Sequence, residues 1–126
     1  MIRDLRLMRP DGSGKRLLAD GYDKPSNKMG IEAVAFSRDG TRLLACLASE
    51  FECSPVAFGI SEGRRYVLRV GRHNELTFAV AISRDGTEVL AEAGRLEGPH
   101  RVLVVPLAGG EPRVLVRNAD HASWSR

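Results

Sequence analysis

Polar and apolar positions fall along this chain in blocks. Apolar runs of four to six residues recur, each bounded by Ser, Asp or Gly, which is the pattern of short strands ended by tight turns. Two stretches make the plan explicit. Residues 33–45 (AVAFSRDGTRLLA) and 79–91 (AVAISRDGTEVLA) are identical at ten of thirteen positions. Each opens on an apolar run, passes through Ser-Arg-Asp-Gly and enters a second run, at 43–48 and 89–93. Ser and Asp at such a turn bond nearby backbone N–H groups, and Gly supplies the positive φ that closes it. Asp39, Gly40, Asp85 and Gly86 are therefore turn chemistry, not catalytic groups.

The repeat continues. A third run follows in each copy, VAFGI at 56–60 and VLVVPL at 102–107, then a glycine turn (SEGR, AGGEPR), then a fourth run, YVLRV at 66–70 and RVLV at 113–116. Each unit thus holds four strands, here called a, b, c and d. The pattern also extends to both termini. LRLMRPDGSGKRLL at 5–18 aligns with VLVVPLAGGEPRVL at 102–115, placing Met8 on Val105, Gly12 on Gly109 and Leu18 on Leu115. The closing ASWSR puts Trp124 where Phe36 and Ile82 stand. The predicted organisation is one all-β domain over 1–126 with strand order cd-abcd-abcd-a: a c–d hairpin over 1–20, complete units over 31–70 and 77–117, and a first strand over 121–126.

Four antiparallel strands per period of about 40–50 residues are the sign of β-propeller blades. Runs such as LLACLA and VLVVPL are continuously apolar, which implies a sheet covered on both faces, as a blade is by its neighbours. AFSRDGTRLLA, together with RVLVVPLAGGEPRVLVRNADHASWS, resembles the TolB-like propeller repeat, a relative of the WD-repeat blade. In that family the a–b turn is typically Ser-Pro-Asp-Gly after an aromatic residue. Arg38 and Arg84 stand here in place of the proline.

Family propellers close with six or more blades, so two whole units imply an incomplete propeller. Its two outer faces would be bare, at a cost on the order of 10 kcal/mol each. The chain is then either a segment of a longer propeller or a unit that assembles with copies of itself. The segment is favoured, because a seam made from strand a of one copy and c–d of the next lacks strand b.

The resemblance implies a non-catalytic protein-interaction or scaffold module, with a protein partner or self-association. The alternative it implies is the propeller portion of a larger enzyme, such as a prolyl-oligopeptidase-type peptidase, whose catalytic domain is not in these residues. A metal-dependent propeller enzyme would need carboxylates and histidines on the innermost strands, and EAVAF, FAVAI and HASW are mostly apolar. The d-to-a connections are the expected binding face, with Tyr22, Asp23, Lys24, Asn74, Glu75, Asp120 and His121 as candidate partner-binding residues, joined by the b-to-c loops. Phe36, Phe58, Phe78 and Trp124 are expected in the core.

Composition adds exclusions. The chain carries 19 Lys+Arg against 16 Asp+Glu, a net charge of +3, with arginines spread throughout. Nucleic-acid binders gather such charge on one face, so no nucleic-acid partner is expected. No apolar run approaches the ~18 residues of a membrane helix, so no membrane insertion is expected. No signal peptide is visible, which makes the cytoplasm the default, and the periplasm or exterior the location if the chain belongs to an exported parent. GSGKR at 12–16 is not a phosphate loop, since Arg9 and Arg16 occupy the places of its first Gly and its hydroxyl. His73, His100 and His121 lack metal-ligand spacing, and no catalytic, cofactor or metal residue is assigned. For Cys46 and Cys53, a hairpin disulfide is one reading; a buried cysteine and a loop cysteine is the favoured one.

Overall fold

The two Ser-Arg-Asp-Gly turns are built to one plan. In the first, Asp39 Oδ1 accepts hydrogen bonds from Ser37 Oγ (2.7 Å), Thr41 N (3.0 Å) and Thr41 Oγ1 (2.7 Å), while Ser37 Oγ accepts from Arg42 N (3.0 Å). In the second, Asp85 Oδ1 accepts from Ser83 Oγ (2.9 Å), Thr87 N (3.0 Å) and Thr87 Oγ1 (2.6 Å), and Ser83 Oγ accepts from Glu88 N (3.0 Å). The bonds from the threonines hold both carboxyls below the usual carboxylate range. Gly40 and Gly86 close the turns at φ +75° and +73°. The turns also touch: Asp39 N donates to Arg84 O (3.1 Å), and a Cβ on Gly86 would lie 2.6 Å from Arg42 Cγ.

The computed structural model describes residues 4–20, 30–68 and 70–118, which form ten strands and no helix. The hairpin β1 (Asp4–Leu7) and β2 (Arg16–Asp20) is followed by two antiparallel meanders. The first is β3 (Gly30–Phe36), β4 (Arg42–Ala48), β5 (Cys53–Gly59) and β6 (Arg65–Val67). The second is β7 (Leu76–Ile82), β8 (Glu88–Gly94), β9 (His100–Pro106) and β10 (Arg113–Arg117). One parallel bridge, Cys53 to Phe78, links the meanders into a single eight-stranded sheet.

Register repeats as faithfully as sequence. A bulge interrupts β3 between Ala33 and Ala35, and β7 at the matching place between Ala79 and Ala81. In the hairpin, Leu5 pairs with Ala19, Arg6 with Leu17 and Leu7 with Arg16. The corresponding pairs recur between β9 and β10: Val102 with Val116, Leu103 with Val114 and Val104 with Arg113. The hairpin therefore has the c–d geometry of the second meander, although its sequence shares few identities with it.

The continuous apolar run of β4 is explained by burial on both sides. Leu43 and Ala45 pack with Ile31, Val56, Phe58 and the hairpin's Leu5, with Leu18 against them. Leu44, on the other face, packs with Ile82 and Val89 of the second meander. Ala91, Ala93, Leu103 and Val105 form a further cluster with Val70.

Three core expectations are corrected. Phe36 is 58% exposed rather than core, whereas Phe58 is buried and Phe78 half-buried. The contrast with Ile82 supplies the reason. Ile82 is covered by Leu44 from strand b of the preceding unit, while the β1–β2 hairpin offers no strand b to stand over Phe36. Second, the face of the second meander turned away from the first is not bare, because Leu90, Val102 and Val104 are buried there, with Val80 and Ala81 packed against them. Third, Cys46 and Cys53 form a disulfide, with Cα atoms 5.0 Å apart. The pairing of Ala48 with Cys53 and Cys46 with Pro55 sets the two cysteines diagonally across β4 and β5, within bridging distance. Trp124 lies outside the described residues.

Candidate interaction face

Antiparallel meanders sort their connections into two ends. The a–b and c–d turns share one end, joined by Ile60 N to Thr41 O (2.9 Å) and Leu107 N to Thr87 O (2.9 Å). The b–c loops and the connection from β6 to β7 share the other, and polar chemistry converges there. Glu52 Oε1 accepts from Ser54 Oγ (2.9 Å), Thr77 N (3.3 Å) and Thr77 Oγ1 (3.2 Å), and Thr77 Oγ1 donates to Ser54 Oγ (3.1 Å). This cluster ties the first b–c loop and β5 to β7, where the meanders meet.

Beside it, Arg101 at the start of β9 grips Glu75 through both oxygens, Nη1 to Oε2 at 2.5 Å and Nη2 to Oε1 at 3.0 Å. Arg72 N adds a bond to Glu75 Oε1 (2.7 Å). These bonds, the guanidinium's above all, pull the Glu75 carboxyl down to about 2. A paired arginine and a bidentate carboxylate make a rigid strut, not a proton donor or acceptor.

On the outer face of β8 and β9, Glu92 is buried and His100 half-buried, with His100 Nδ1 3.6 Å from Glu92 Oε2. His100 Nε2 meets Arg95 O (3.1 Å), and Phe78 stacks on the imidazole, centroids 5.7 Å apart. The ring lies over Gly94, where a Cβ would collide with it. Aligning the units shows what this pair replaces. Ala48 and Gly94 correspond, as do Pro55 and Val102 in their registers, so Cys46 matches Glu92 and Cys53 matches His100. Each b–c pair carries a diagonal cross-strand contact at the same site, a disulfide in one unit and a carboxylate 3.6 Å from an imidazole in the other.

Between these contacts the b–c loops present large apolar side chains to solvent, Phe51 at 54% exposure and Leu96 at 63%. Arg72, His73 and Asn74 are exposed on the neighbouring connection, with Asn74 at φ +66°. No protein-family model matches this chain, and no curated protein matches it in sequence. Among the described residues, no group of three or more His, Cys, Asp or Glu side chains is placed to hold a metal ion, and no helix is long and apolar enough to cross a membrane.

Of the residues expected to bind a partner, Asn74 lies exposed on this end, and Glu75 lies there with its carboxylate held by Arg101. Tyr22, Asp23, Lys24, Asp120 and His121 lie outside the described residues. The sequence reading placed the b–c loops at this end without singling out Phe51 or Leu96. It also missed the Arg101 strut and the Glu92–His100 contact. Comparing the units position by position would have found the contact, since the cysteines of one fall on an acid and an imidazole in the other.

Proposed function

We propose that the chain is part of a TolB-like β-propeller and serves as a non-catalytic protein-interaction module. The repeated turns, bulges and registers support the blade reading, because each unit meets the next through the same strands: β1 lies beside β3 as β5 lies beside β7. The observation that carries the interaction reading is the pairing of exposed Phe51 and Leu96 on loops anchored by covalent and ionic ties. Exposed apolar side chains on a rigid base gain burial against a partner with little ordering entropy left to lose on binding.

The test is affinity capture from an extract of the source cells, comparing the wild-type chain with Phe51→Ala and Leu96→Ala. Leu17→Ala, exposed on the hairpin, serves as the control. The expected result is a specific protein whose affinity falls about thirtyfold with either loop variant and is unchanged in the control. Capture that ignores both loop substitutions would overturn the assignment.

A further inference from the structure

At the opposite end from the b–c loops, a groove of about 370 Å³ runs between β6 and the β9–β10 turn. Arg64 and Arg65 line it together with the apolar Val67, Pro106, Leu107 and Pro112, over Val105, which belongs to the core beneath. Among the described residues, no carboxylate lines it. Glu62, on the adjoining turn, lies 3.9 Å from Arg42 and also acts electrostatically on Arg64.

The arginines are underused. Arg65 Nε is buried without a hydrogen-bond partner, and no other side-chain N–H of Arg65 meets an acceptor among the described residues. Arg64 rests on the Tyr66 ring, 4.7 Å from its centroid, and makes no salt bridge there either. The enclosed Arg65 Nε without an acceptor is costly, while Arg64 is exposed and can meet an arriving anion at the mouth of the groove. Strand β6 pairs only with β5 among the described residues, so its outer edge offers backbone groups to an added strand.

We propose that this groove binds an extended acidic peptide, its carboxylates on Arg64 and Arg65 and its apolar side chains on Val67 and Leu107. The apolar lining and the free strand edge select a peptide over a nucleic acid. Tyr66 offers no free stacking platform, since Arg42 also packs on its ring at 5.5 Å. The groove extends the reading of the chain as a binding platform to a second surface, and different substitutions test the two.

The experiment is fluorescence polarisation of the full chain with a fluorescein-labelled octapeptide of alternating Glu and Val, against one of alternating Lys and Val. The acidic peptide should bind, and more weakly as salt rises. The Arg64→Ala/Arg65→Ala variant should weaken it roughly ten- to a hundredfold. Arg117→Ala, on the exposed β10, and the Phe51→Ala variant should leave it unchanged. If the double variant does not fold, Arg65→Lys keeps the charge without the planar fork and should still weaken binding severalfold. Absence of binding, equal binding of the lysine peptide, indifference to both arginine substitutions, or stronger competition by an RNA oligonucleotide would each overturn the groove as a peptide site. The loop-dependent interface at the other end would stand or fall separately.

Discussion

Glu75 and Arg101 show how one residue pair can make the end of a sheet sensitive to acid. The Glu75 carboxyl, ordinarily near 4.5, is held at about 2 by the guanidinium and the Arg72 amide. A carboxyl whose pKa is lower in the folded state stabilises that state above its unfolded pKa. The contribution is therefore complete above about pH 5 and is lost as the pH falls toward 2. The strut sits at the end of the sheet, where water screens part of the interaction, so it is worth about 1–2 kcal/mol rather than the full value of the shift. Urea midpoints of the wild type and Glu75→Gln, measured at pH 7, 4 and 2.5, isolate it from the other acids. Asp11, Asp39, Glu62 and Asp85 also titrate below their usual range and will add their own acid sensitivity to both proteins. The gap between wild type and variant should be widest at pH 7, shrink to roughly a quarter of that by pH 2.5 and close only below pH 2. A gap that stays constant would show that Glu75 acts by packing alone.

At the scale of the element, the four-stranded meander is the unit on which sequence and structure agree most closely, because its signals are local. Ser-Arg-Asp-Gly dictates its own hydrogen bonds, and the apolar runs of β4 and β8 mark strands buried on both faces. What was not legible depends on register or on neighbours. A spacing of seven between Cys46 and Cys53 says nothing until Ala48 is known to pair with Cys53. Phe36 and Ile82 occupy the same place in near-identical contexts, yet among the described residues only Ile82 is covered by a strand b, through Leu44. The shared site of the two cross-strand contacts yields a prediction. Glu92→Cys/His100→Cys should form a second disulfide spontaneously under mild oxidation, detected as an intact mass lower by two hydrogens without reductant. Closing so short a loop should raise stability by about 2 kcal/mol over the reduced variant. Failure to oxidise would mean that β8 and β9 do not reproduce the diagonal geometry of β4 and β5.

The whole molecule combines a well-buried interior with apolar surface that its own repeats leave uncovered. Phe36 is exposed, Met8 and Leu17 face outward on the hairpin, and Val114, Leu115 and Val116 are half-exposed along the edge strand β10. In a repeat array each unit is stabilised mainly by its neighbours, so the side lacking a neighbour is the weak one. Contacts that join the front of one copy to the back of another are head-to-tail, and such contacts make a ring only when the rotation per copy closes it. In such a contact Phe36 would need from the next copy a counterpart to Leu44, the residue that covers Ile82 within the chain. Light scattering after size exclusion should therefore give a mass that climbs with concentration instead of resting at a defined dimer or trimer. A hydrophobic dye should bind the wild type and bind Phe36→Ser less. A discrete oligomer that excludes the dye would mean that another surface covers Phe36, and the interaction face would then belong to the assembly and not to the single chain.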